Sequence, residues 1–146
     1  MFVKDFQIDQ VDGYVAAGVA PQSSDILDML GFDGVVFVAG FGTIIEAGTL
    51  DVYVEQNTAN SASGMARLAT TTAHTVTAAN AALTQSCIVV DVYRPQERYV
   101  RCVVDPSDQN AVILGVVAIR YRGSKLPVTQ NANVLKSTLL SGPAEA

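Results

Sequence analysis

Tryptophan is absent from this 146-residue chain, histidine occurs once, cysteine twice, and only 16% of the residues are charged. Each shortage excludes something. His74, Cys87 and Cys102 cannot supply the four close ligands of a structural zinc site, nor the several histidines of a metal-binding cupin. Two cysteines allow at most one disulfide. No run approaches the ~18 uninterrupted apolar residues of a membrane-crossing helix. The opening MFVKDFQIDQVDG places acids where a secretory signal would be apolar, so the expectation is a protein made in the cytoplasm with no membrane partner.

Catalytic patterns are equally scarce. His74 sits in a Thr/Ala-rich stretch, and no G-x-S-x-G elbow leads into a helix to give it a serine partner. The glycines at 31, 34, 40, 42 and 48 are not followed by Lys-Ser/Thr and a helix, so they form no phosphate loop. Glycoside hydrolysis needs two carboxylates across a cleft, and Asp51 with Glu55 reads as a solvated strand face. The expectation is a protein that is not an enzyme, with no catalytic, cofactor-binding or metal residues and no cofactor.

What is present is β-strand pattern, densest at residues 85–122. Ile88, Val90 and Val92 share one parity, opposite Asp91 and Tyr93. Val100, Cys102 and Val104 alternate with Tyr99, Arg101 and Asp105. A period of two marks a half-buried strand. The link 94–98, with Pro95, is short enough for a hairpin. Such a hairpin sets Val92 opposite Val100, Val90 opposite Cys102 and Ile88 opposite Val104, with all six on one face. It also turns Cys102 to the core and Cys87 to the other face near Asp105, which excludes a disulfide between them.

The third run, 111–121, is apolar on both faces as far as Ile119. Val112, Leu114 and Val116 fall on one face, and Ile113, Val117 and Ile119 on the other. A strand of that kind needs cover on both sides, from a second sheet or another subunit. The expectation is a homo-oligomer, a dimer before a trimer, with Leu114 and Val117 as candidate contacts. Leu114→Asp or Val117→Asp then disturbs assembly if its face is a contact, and unfolds the monomer if it is core.

Charge is unevenly distributed. Residues 1–93 carry ten acids against Lys4 and Arg67, net −8, and residues 94–146 carry seven bases against four acids, net +3. These sum to the −5 of the whole chain. Such polarity suits contact with a charged partner or between copies, or simply solvates strand ends. Arg94, Arg98, Arg101, Arg120 and Arg122 are the candidate contact residues. The acidic total and the lack of a Lys/Arg-rich stretch argue against nucleic acid.

Elsewhere, residues 1–22 read as an edge strand or extended arm. Residues 23–30 fit either a short helix capped by Ser24 or a strand. Val35 to Ala39 reads as a fully buried central strand, and Leu50, Val52 and Val54 mark an amphipathic one. Residues 57–84, dominated by Ala, Thr, Asn and Ser, form a long loop, suited to lie against another surface or tolerated as an insertion. Residues 123–146 lose strand periodicity. Val134, Leu135, Leu139 and Leu140, between Pro127 and Pro143, either pack or pair with a neighbouring subunit. The whole predicts one all-β domain at 23–122, an antiparallel sandwich of jelly-roll type with extended termini.

The stretch VVDVYRPQERYVRCVVDPSDQNAVILGVVAIRYRGSKLPVT resembles small proteins of tailed bacteriophages encoded close to the major capsid protein. Upstream, SDILDMLGFDGVVFVAGFGTI, an amphipathic strand and an Ala/Thr-rich stretch follow in the same order, so the resemblance covers about residues 24–129. Tyr93-Arg94-Pro95, Arg98-Tyr99-Val100-Arg101, Tyr121 and Pro127-Val128 are its most specific pieces. The resemblance implies a head decoration, or cement, protein on the virion surface: a jelly-roll sandwich that binds the major capsid protein, staples capsomers, and forms dimers or trimers. Other readings are a tail or head–tail connector part, and a glycan-binding sandwich using Tyr53, Tyr93 and Tyr99 as platforms.

Overall fold

Alternating strands bury their apolar parity only if a second sheet faces them, and the chain supplies both sheets. The computed structural model describes residues 2–69 and 72–138. Elements are numbered in chain order. The first sheet runs β1 (Gln7–Asp12), β11 (Ala111–Tyr121), β5 (Gly34–Ile44), β9 (Ser86–Tyr93), with β2 (Val15–Gly18) also on β11. The second runs β3 (Gln22–Ser23), β10 (Tyr99–Ser107), β6 (Thr49–Asn57), β7 (Ala66–Arg67), with β4 (Leu27–Asp28) on β10 and β8 (His74–Thr75) on β6. Two one-turn helices, α1 (Phe2–Asp5) and α2 (Ala78–Ala81), complete the described elements.

All pairings are antiparallel. With β1/β2, β3/β4 and β7/β8 each taken as one interrupted strand, the pairs nest: first with last, second with seventh, third with sixth, fourth with fifth. That nesting is the winding of a jelly roll. The all-β sandwich expected from the sequence is therefore the fold, and its core holds Phe37, Phe41, Val54, Val100, Val104, Ile113 and Val116.

The expected hairpin across 94–98 does not form. β9 pairs with β5 in one sheet, while β10 pairs with β6 in the other. The loop carries the chain between sheets. The Arg94 N–H donates to the Asp33 carbonyl at one end, and Gln56 Oε1 accepts from the Gln96 N–H at the other. Ile88, Val90 and Val92 thus face Val100, Cys102 and Val104 across the core instead of lying beside them.

Cys102 stays buried and Cys87 exposed, both free, with Cys87 opposite Gly40 and not near Asp105. Burial pushes the Cys102 thiol up to about 12. Because the thiolate is the reactive form, native protein should react with a thiol reagent at Cys87 alone, Cys102 following only on unfolding. Two fast equivalents per chain would contradict this.

Other segments also settle. Residues 7–12 are an edge strand of the first sheet, not a free arm. Ser24 caps no helix: its hydroxyl accepts from the Cys102 N–H and donates to the Asp25 carbonyl, holding 22–28 extended along β10. Segment 57–84 is structured in part, since β7 and β8 both pair with β6 and Val76 is buried in the core. In the C-terminal segment, Gln130 Oε1 accepts from the Ile8 N–H, and Asn133 donates to the Gln10 carbonyl. Leu135 is exposed, whereas Leu139, Leu140 and Pro143 lie outside the described residues.

Candidate docking face

The inner face of the β1–β11–β5–β9 sheet meets the second sheet, and its outer face keeps a block of apolar residues in view. Register sets them in rows. Ile8, Ile119, Val36 and Asp91 lie abreast, and beside them run Gln10, Val117, Val38 and Val89. Leu114 and Val89 are 48% and 56% exposed. Ile8, Val36, Val38, Val112, Val117 and Ile119 are half-buried by their neighbours alone. The two described helices are one turn each, so no helical layer covers them.

A bulge in β11 assembles this face. Register shifts on either side of Ile113, and Gly115 has φ +142°, a conformation L side chains rarely adopt. Parity resets there: Ala111 and Ile113 point inward before it, Val116, Ala118 and Arg120 after it. The expected grouping of Val112, Leu114 and Val116 on one face is thereby corrected. Val116 joins Ile113 in the core, and Leu114 shares the outer face with Val117. Gly40 and Gly42 lie beneath Leu114 and Val112, leaving a shallow dip floored by backbone.

One end of the face is polar. The Tyr121 ring covers Gly34, where a Cβ would come within 2.3 Å of it, and its hydroxyl donates to Asp91 Oδ1 at 2.7 Å. Burial first, and that carboxylate second, push the Tyr121 phenol up to about 12. Tyr93 lies beside it, 51% exposed, with the Arg94 and Arg122 guanidiniums 5.2 and 5.7 Å from its ring centre.

The five candidate arginines separate. Arg94 and Arg122 gather at Tyr93. Arg98 makes a forked pair with Asp28 at 2.7 and 2.8 Å, which holds the Asp28 carboxyl below its usual range. Arg101 Nε donates to Glu55 Oε2 at 2.7 Å, on the second sheet. Arg120 is 7% exposed, and its guanidinium is taken up by Asp9, itself 1% exposed, and by the Asp28 carbonyl at 2.7 Å. Arg120 is therefore an internal clasp and offers no charge to a partner. Three bases of the later half thus neutralise acids of the earlier half, which accounts for much of the charge asymmetry within one fold.

The glycan platforms fare similarly. Tyr53, Tyr93 and Tyr99 each carry an arginine against the ring, Arg67 at 4.0 Å from Tyr53 and Arg98 at 5.1 Å from Tyr99. His74 Nε2 donates to Asn80 Oδ1 at 2.9 Å, the residue that closes the Thr77 capping box of α2. Both line a cavity of about 290 Å³ with Phe41, Ile44, Leu50 and Leu83. Among the described residues no group of three His, Cys, Asp or Glu side chains could hold a metal.

Leu114 and Val117, expected on opposite faces of the strand, thus share the outer one, and Val36, Val38, Val89 and Ile8 join them there. The available signal was VVFVA, apolar at both parities, which reads equally as a strand buried on both sides. The fold and this face together define a β-sandwich of jelly-roll winding with one apolar sheet surface. Comparison of the chain with protein-family models and with curated proteins gives no match to either.

Proposed function

We propose that this chain is a structural virion protein, a capsid decoration or cement protein that binds the outside of a phage head and stabilises contacts between capsomers. One observation carries the reading: the apolar outer rows of the β1–β11–β5–β9 sheet, with Leu114 and Val89 about half exposed. A contiguous apolar patch on a folded surface marks a protein contact. Jelly rolls serve in capsids, and the phage resemblance across residues 24–129 names the partner as the major capsid protein. A shell repeats one site many times, so oligomers of this chain bind through several weak contacts at once.

The test is the copy number of this chain in purified virions. The expected result is a number comparable to that of the major capsid protein. A few copies at one vertex or along the tail would make it a connector or tail part, and absence from the virion would end the proposal. Leu114→Asp should leave circular dichroism and melting unchanged, because the side chain is half in water. It should weaken binding to shells stripped of the protein at least about tenfold, by placing an unpaired charge in the contact.

A further inference from the structure

A sheet edge exposes unpaired N–H and C=O groups, and folded proteins blunt such edges with short strands, bulges, charges or a covering segment. Among the described residues, this fold does so at every edge but one. On the second sheet the outermost strands β3, β4, β7 and β8 are two residues each. On the first sheet β1 has an irregular register between Gln10 and Asp12, and the Gln130 and Asn133 side chains bond its backbone. The opposite edge, β9, is eight regular residues, Ser86–Tyr93, with Asp91 as its single charge, no proline and no bulge. No described strand pairs on its far side.

We infer that β9 is a self-recognition strand: two copies join their β9 edges antiparallel about a two-fold axis, merging two sandwiches through one continuous sheet. The Arg94 N–H points to Asp33, on the β5 side. By the alternation of an antiparallel ladder, the backbone groups of Cys87, Val89, Asp91 and Tyr93 then point away from β5. Those are the groups a second strand would meet.

The residues select a second copy as occupant. Antiparallel pairing sets like faces opposite one another, so an axis at Val89 places Val89 against Val89 of the second copy, Cys87 against Asp91, and Ile88 against Val90. An axis at Asp91 would oppose two like charges. One at Val90 would set Val89 against Asp91 twice. With the axis at Val89, the row Gln10–Val117–Val38–Val89 continues directly into its mirror in the second copy. Ile88, Val90 and Val92, only half-buried in one chain, gain cover from their counterparts. An almost uncharged edge holds nothing to select an acidic or basic foreign strand.

This pairing is a property of the free protein and does not depend on the decoration reading. Sedimentation equilibrium of the purified full chain up to about 100 µM should give twice the 15.4 kDa chain mass. Val89→Lys, a surface change, should raise the dimer dissociation constant at least about tenfold with circular dichroism and melting of the fold retained. Val89→Pro, which deletes an N–H that β5 does not use, should do the same. Leu114→Asp, off the edge, should leave the dimer intact. A monomeric wild type overturns the inference, as does a dimer that both Val89 variants leave unchanged. So does one that Leu114→Asp dissociates while Val89→Lys does not, since that contact would lie on the outer face. The virion copy number stands apart from all of these outcomes.

Discussion

Asp9→Ala is expected to cost about 3–5 kcal/mol of folding stability, read from urea or guanidinium unfolding. Asp9 is 1% exposed, and its Oδ2 receives the Arg120 Nη2 and Nε at 3.0 and 3.2 Å. Removing the carboxylate leaves a guanidinium 7% exposed without its counter-charge. The Asp28 carbonyl at 2.7 Å and the Phe32 ring 4.7 Å away carry no such charge. Taking out both charges is a different experiment. Asp9→Leu with Arg120→Met should recover most of the loss, because a buried ion pair often contributes little more than a well-packed apolar pair. A single variant within 1 kcal/mol of wild type, on the order of an exposed pair, would show that water reaches the clasp.

Gly115→Val should cost about 2–5 kcal/mol, for two separate reasons. The φ of +142° is strained for any L side chain. In addition, a Cβ would meet the Asp12 carbonyl oxygen at 2.9 Å and Gln10 Nε2 at 2.8 Å. Gln10 can move, but the Asp12 backbone is held in β1 against Val116. If the chain escapes by straightening the bulge, parity after residue 115 inverts and Val116 turns outward. The expected signature is therefore lost stability together with exposed apolar surface, measured as dye binding. An unchanged melting curve would mean that the bulge can be built without glycine.

Much of the sandwich was legible because strand parity is local. Ile88, Val90 and Val92, or Val100, Cys102 and Val104, declare an inward face whichever strand lies beside them. Partnership is not local. The same six residues satisfy a hairpin or two sheets facing each other, and the five-residue link 94–98 favours the hairpin only if the chain stays in one sheet. Arg94 in a left-handed conformation takes it out.

The β7 and β8 pairings were illegible for another reason. A backbone ladder needs no particular side chain, so Ala66, Arg67, His74 and Thr75 bear no mark of β6. For the docking face, the useful sign was a glycine inside a strand, since Gly115 within ILGVV announces a bulge. Constant parity along the apolar run 111–119 places Val116 outside, and the bulge at Gly115 turns it inward. Charge divides by halves along the chain but not in space, where Asp9 with Arg120, Asp28 with Arg98 and Glu55 with Arg101 cancel across it.

The nested winding also sets a timetable. Ile8 pairs with Ile119, and Gln10 with Val117, so β1 has no ladder until more than a hundred further residues have been joined. β5, with Phe37 and Phe41, must likewise wait for β9 and β11 on its two sides. During synthesis both strands lack partners, β5 as a strongly apolar segment, and closing such long loops makes folding slow relative to helical domains. Unpaired strands at that stage are prone to mispairing between chains. The supply of folded chain would then be limited by how quickly its last strand arrives, more than by how stable the finished sandwich is.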